Sequence, residues 1–187
     1  MGSAANIDLK PELEKWKTRI GKATDKVDIM TSILNELLDQ RTFDMKALSK
    51  TFFSGLSVIE KLPNEAKSIA KSIEAKKKSY LSKWQKEYKN ITDPKLKEKA
   101  ESLRDGIVSG LSNLEDLANK LPNYYAPFID GLKDIKKSLA QNLDIQKLFS
   151  IATNIIKSKD DALVLKKKID EFLKQLINMQ NTLTTEL

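Results

Sequence analysis

At 187 residues, with 40% hydrophobic and 32% charged side chains, the chain holds enough apolar material for one folded domain and too much for a disordered one. It has neither cysteine nor histidine, which excludes disulfides, thiolate nucleophiles, imidazole acid–base catalysis and the zinc sites those side chains build. The formal net charge is +7, breakers are few at 6 Gly and 5 Pro, and no apolar run reaches the roughly 18–20 residues of a membrane-spanning helix. This is the composition of a soluble chain of long helices.

Met1-Gly2-Ser3 reads as a vector-derived start, and residues 1–7 are expected to lie outside a single domain spanning 8–187. The first helix is predicted over about 8–40. Its apolar residues alternate in steps of four and three, with Leu13, Ile20, Val27 and Leu34 at a positions and Trp16, Ala23, Met30 and Leu37 at d positions. Leu9 extends the same seam. Asp8 is the expected cap, and Pro11 then falls in the first turn, where a missing N–H costs little.

A second seam runs through Met45, Leu48, Phe52, Gly55, Ile59, Leu62, Ala66, Ile69, Ile73 and Tyr80. The apolar phase carries across Pro63, which predicts a helix to about Lys89, kinked or briefly broken at the proline. Asn90-Ile91-Thr92-Asp93-Pro94 is the strongest loop signal, with Thr92 or Asp93 as cap and Pro94 opening the next helix. That third helix carries Leu96, Ala100, Leu103, Ile107, Gly110, Leu114, Leu117 and Leu121, and is expected to stop at Leu121-Pro122-Asn123. A fourth follows from about Tyr124 with Phe128, Leu132, Ile135, Leu139 and Leu143 facing inward. Asp144 caps a shorter piece with Leu148, Ala152 and Ile155. Lys157-Ser158-Lys159-Asp160 reads as a turn or hinge before a last helix through Ala162, Leu165, Ile169, Phe172, Leu176, Met179 and Leu183.

Seams at a mean spacing of 3.5 and short connections predict an all-α, elongated, antiparallel up-and-down bundle with coiled-coil-like packing. Ser54-Gly55-Leu56-Ser57 followed by Lys61-Leu62-Pro63-Asn64 is echoed by Ser109-Gly110-Leu111-Ser112 followed by Lys120-Leu121-Pro122-Asn123. Gly55 and Gly110 both fall on core seams, where the absence of a side chain lets another helix approach closely.

Chemistry is harder to find. There is no Gly-rich phosphate loop, no nucleophile elbow and no Glu-x-x-His pair for a di-metal bundle, so neither a catalytic residue nor a cofactor or metal is expected. Charge is concentrated in one place. Between Lys67 and Lys99 stand eleven lysines against four carboxylates, which accounts for the whole net charge. Tyr80, Trp84 and Tyr88 recur there every four residues. Lys76, Lys77, Lys78, Lys83 and Lys86 with Trp84 are therefore the candidate contact for an anionic surface, such as anionic lipid, against the alternative of a solvated helix face whose lysine stems cover apolar surface. Only three arginines, Arg19, Arg41 and Arg104, are present and none clusters, which argues against specific nucleic-acid readout. Tyr124, Tyr125 and Phe128, after the Pro122 break, are candidates for a small apolar pocket or partner contact, or else a plug at the end of the bundle. Asn142 is a further candidate contact, or a polar residue that fixes register.

The stretch from Tyr80 to Leu143 resembles a family of bacterial helical proteins classed as a domain of unknown function. The resemblance rests on Trp84 with Glu87, a short polar loop, Leu96, the helix through Leu103, and a block of Pro127, Asp134, Leu139, Asn142 and Leu143. Many members carry lipoprotein-type or other export signals. It implies a periplasmic or outer-membrane-anchored protein rather than a cytoplasmic one, and it supplies no catalytic residue. Together these features lead to the expectation of a non-enzymatic helical envelope protein that meets an unidentified protein partner or acts as a spacer. The alternative is a protein that sits on a lipid surface through its Lys-rich patch.

Overall fold

A computed structural model describes residues 4–39, 45–141 and 145–185. All regular structure in them is helical: α1 Ala4–Asp39, α2 Met45–Ile59, α3 Leu62–Tyr88, α4 Pro94–Leu139 and α5 Ile145–Thr185. Their packing divides into two compact units. The first comprises Met1–Ile20, Ala66–Asn119 and Asp170–Leu187, and the second comprises Gly21–Glu65 and Lys120–Ile169. The helices α1, α3, α4 and α5 contribute to both, so no linker or change of composition marks the division.

In the first unit, α1 lies antiparallel to α3. Asp8 pairs with Lys83, Glu12 with Lys76 at 3.5 Å, and Trp16 Nε1 donates to Ser72 Oγ at 3.1 Å. Lys77 of α3 reaches Glu115 of α4, Gly110 of α4 faces Met179 of α5, and Gln180 returns to Glu14 of α1. In the second unit, Gly55 of α2 faces Met30 and Ile33 of α1, Lys133 of α4 pairs with Glu60, Gly131 faces Ser158 of α5, and Lys166 pairs with Asp28. Each unit is thus an up-and-down four-helix bundle, as the spacing of the apolar residues predicts.

The α1 seam is as expected: Leu9, Leu13, Trp16, Ile20, Ala23, Val27, Met30, Leu34 and Leu37 are all buried. The helix begins earlier than the sequence suggests, because Ala5 and Asn6 continue the buried stripe. Residues 4–7 therefore belong to it, and Pro11 lies inside the helix. Asp8 is not a cap. Its carboxylate goes to Lys83, while Glu87 Oε1 accepts the Ala5 N–H at 3.2 Å and satisfies one of the free donors of the first turn.

Pro63 breaks the second helix rather than bending it. A turn at Glu60 and Lys61 separates α2 from α3, and Pro63 is the second residue of α3, where no N–H is needed. Asp93 is the cap of α4, its Oδ1 accepting from the N–H groups of Lys95 at 2.8 Å and Leu96 at 3.0 Å.

Two expected breaks do not occur. The helix α4 runs straight through Pro122 and Pro127. Ile107, Leu111, Leu114, Ala118, Leu121, Tyr125, Phe128, Leu132 and Ile135 form one unbroken stripe of alternating steps. An interior proline costs about 3 kcal/mol. Each large side chain buried beyond Pro122 contributes about 1.5–3 kcal/mol, and a turn there would rotate several of them off the seam. Burial wins. Leu111 and Ala118 take the positions assigned to Gly110 and Leu117, and Leu96 is exposed.

The helix α5 is likewise continuous through Lys157-Ser158-Lys159-Asp160. Ile151, Ile155, Ser158, Ala162 and Leu165 keep the alternation, so the serine read as part of a hinge is a fully buried seam residue.

Gly55 and Gly110, the centres of the echoed blocks, have the same use. A Cβ on Gly55 would stand 2.9 Å from Met30 Cε, and one on Gly110 would stand 3.0 Å from Met179 Sδ. Each glycine seats a methionine from the adjacent helix.

Candidate functional site

The candidate site is the lysine-rich face of α3. A helix places residues three and four apart side by side, so Lys76, Ser79, Tyr80, Lys83 and Trp84 adjoin one another. The apolar members turn inward: Tyr80 is buried and Trp84 retains 8% exposure. Trp84 stacks on Tyr88 with ring centres 4.5 Å apart, and the Arg104 guanidinium of α4 covers its ring at 4.5 Å. The Tyr88 hydroxyl donates to Glu101, which holds its pKa above the usual phenol value, with smaller contributions from burial and the carboxylate charge. Trp84 is a core side chain capped by a cation, not an exposed ring available to a surface.

Four of the five candidate lysines already have carboxylate partners. Lys76 pairs with Glu12 at 3.5 Å, Lys77 with Glu115 at 2.6 Å, Lys78 with Glu74 at 2.8 Å and Lys83 with Asp8. The Glu74–Lys78 hydrogen bond lowers the carboxyl pKa and raises that of the ammonium. Lys86 is exposed, and its backbone carbonyl accepts from Asn90 Nδ2 at 3.5 Å. Between α1 and α3 runs an open groove of about 250 Å³ with Asp8, Glu12, Lys76 and Lys83 on its walls. Its two carboxylates and two ammonium groups neutralise each other, so the face attracts an anion far less than its lysine count suggests.

The second set of candidates separates. Tyr125 and Phe128 are buried in the part of α4 that belongs to the second unit. Tyr124 is half-buried, with Lys168 Nζ 5.4 Å from its ring centre. Asn142 lies outside the described residues. Burial pushes the Tyr125 phenol well above 10.0, helped by the Glu65 charge. An acid held neutral by the fold stabilises it below the unfolded pKa, and that contribution is lost as pH rises and the unfolded chain ionises. Stability should therefore fall above about pH 10, by up to ~1.4 kcal/mol per pH unit for one proton. Tyr125→Phe should remove that share of the alkaline slope, as read from urea unfolding at a series of pH values.

Among the described residues, no group of three or more acidic side chains is placed to hold a metal ion, and no helix is long and apolar enough to cross a membrane. The sequence reading missed one surface feature, a line of exposed apolar residues on α5: Phe149, Ile156 and Leu163. Its signal was present as a second apolar series at a spacing of seven, one position beyond the core seam. Comparison with family models, with curated proteins and with solved structures finds no match to this chain.

Proposed function

We propose that this chain is a non-enzymatic helical module that acts by protein contact or as a spacer. The observation that carries this reading is where the charged side chains go. Asp8–Lys83, Glu12–Lys76, Lys77–Glu115 and Asp28–Lys166 each join one helix to another, and Glu60–Lys133 ties the α2–α3 turn to α4, so much of the surface charge serves to hold helices in register. The resemblance of Tyr80–Leu143 to exported bacterial helical proteins supports a place in the periplasm or at the outer membrane.

Charge reversal tests this against a lipid-binding patch. Lys77 and Glu115 are the most enclosed of the pairs on this face, with side chains 23% and 21% exposed, against 73% and 47% for Lys78 and Glu74. Lys77→Glu should cost about 1 kcal/mol in urea unfolding, and Lys78→Glu, at an exposed pair, should leave the urea midpoint almost unmoved. Neither variant should change co-sedimentation with phosphatidylserine-containing vesicles at low salt, where the parent protein should remain in the supernatant. Salt-sensitive vesicle binding that both reversals weaken would replace this reading with the lipid-surface one.

A further inference from the structure

We infer that the outer face of α5 in the second unit is a docking site for an acidic amphipathic helix. The inference rests on the protein-contact reading above and supplies the partner's chemistry. Phe149, Ile156 and Leu163 are 72%, 54% and 66% exposed, although each is a large apolar side chain. They stand seven residues apart, each one position beyond the buried residue of its turn or, for Phe149, two before Ile151. That is the heptad position normally left to polar side chains in a bundle. At ~1.5 Å per residue the three mark a line about 21 Å long. Scattered exposed apolar residues need no explanation, but three in register on one helix form a seam with no second helix against it among the described residues.

The borders of the line identify what would cover it. Lys159 and Lys167 adjoin Ile156 and Leu163 by helical spacing, neither has a carboxylate partner among the described residues, and together they outweigh the one carboxylate in the same position, Asp160. Lys157 is matched by Asp161 at 3.2 Å, and Lys166 is held by Asp28. A helix with apolar residues at a spacing of seven and glutamates beside them would fill the line and meet Lys159 and Lys167. A bilayer suits it less well. Although Val164 beside Leu163 is also exposed, Asp160 stands between Ile156 and Leu163, so insertion would carry a carboxylate into the lipid.

The probe is a synthetic helix with leucine at every seventh position and glutamate flanks, labelled with fluorescein and titrated with the full chain in fluorescence anisotropy. A second peptide carries lysine flanks. The parent protein should bind the glutamate peptide in preference. Ile156→Ser with Leu163→Ser should weaken that binding about tenfold or more, with helical circular dichroism unchanged because both side chains are exposed. Lys159→Glu with Lys167→Glu should reverse the preference toward the lysine peptide. Equal binding of both peptides, no binding of the glutamate peptide, or no loss in the serine variant overturns the proposal. Two further outcomes also overturn it and name the true occupant. One is self-association in sedimentation velocity that the serine variant abolishes, which leaves the contact reading intact with a second copy as partner. The other is binding to phosphatidylserine vesicles that the serine variant abolishes, which removes the contact reading as well.

Discussion

Trp84→Ala should destabilise the protein by about 3–5 kcal/mol, the range for removing a large aromatic side chain from a packed core. The expectation follows from its surroundings. The ring is 8% exposed, one face stacks on Tyr88, and Arg104 closes over it. Removing it leaves a void that Tyr88 and Arg104 cannot fill without giving up Glu101 and Asp105, which they now contact. Arg104→Ala should cost far less, about 0.5–1 kcal/mol, because the guanidinium contributes mainly a cation–π contact at a partly exposed position. Lys86→Glu, on the exposed face nearby, should stay within about 0.5 kcal/mol. Urea unfolding of the three variants separates the two roles considered for this aromatic. A surface ring that waits for an anionic partner would lose less than 1 kcal/mol on truncation and would leave the midpoint almost unmoved.

The same cluster shows what a one-dimensional pattern can and cannot convey. Tyr80, Trp84 and Tyr88 were legible as one face, and the lysines around them as a dense positive charge. The partners of those lysines were not legible, because Asp8, Glu12 and Glu115 lie 75, 64 and 38 residues away from Lys83, Lys76 and Lys77 in the chain. A charge count over a window sees the cations of a long helix and misses the anions that its neighbours bring.

The proline errors have a related origin. Lys-Leu-Pro-Asn occurs at 61–64 and again at 120–123, yet it opens α3 in one place and lies within α4 in the other. What differs is the register of the surrounding burial. Around Pro63 the buried residues step by three twice, from Leu56 to Ile59 to Leu62, and the turn at Glu60 and Lys61 takes up the irregularity. Around Pro122 they alternate without a fault from Leu114 through Phe128, so the helix continues and the proline is tolerated. Local propensity marks both prolines as breakers, whereas the seam distinguishes them. The heptads of α1 posed no such conflict: the seam from Leu9 to Leu37 was legible, whereas Ala5, in the stretch read as lying outside the domain, and Ile33, one position before the seam residue Leu34, were not.

Ser158 is where sequence and packing disagree most, and a pair of substitutions across the α4–α5 contact should expose why. Its side chain is fully buried on the α5 seam, and its Oγ has no hydrogen-bond partner among the described residues. Opposite stands Gly131, where a Cβ would lie 2.5 Å from that Oγ but 3.7 Å from the serine Cβ. The hydroxyl is therefore what forbids alanine at 131. Gly131→Ala alone should lose stability, because overpacking costs about 1–3 kcal/mol and exceeds the ~1 kcal/mol that alanine gains over glycine in a helix. Ser158→Ala alone should be neutral or stabilising by about 1 kcal/mol, since it removes a buried hydroxyl that bonds to nothing. With both changes the two Cβ atoms meet at ordinary contact distance, the helix propensity gain is realised, and the protein should be about 1–2 kcal/mol more stable than the parent. The double-mutant cycle in urea should thus show a favourable coupling of about 1–3 kcal/mol. Simple additivity would mean that α4 and α5 do not cross at this point. The reading of Lys157-Ser158-Lys159-Asp160 as a hinge would then regain its standing, for a serine in a turn has no glycine to press against.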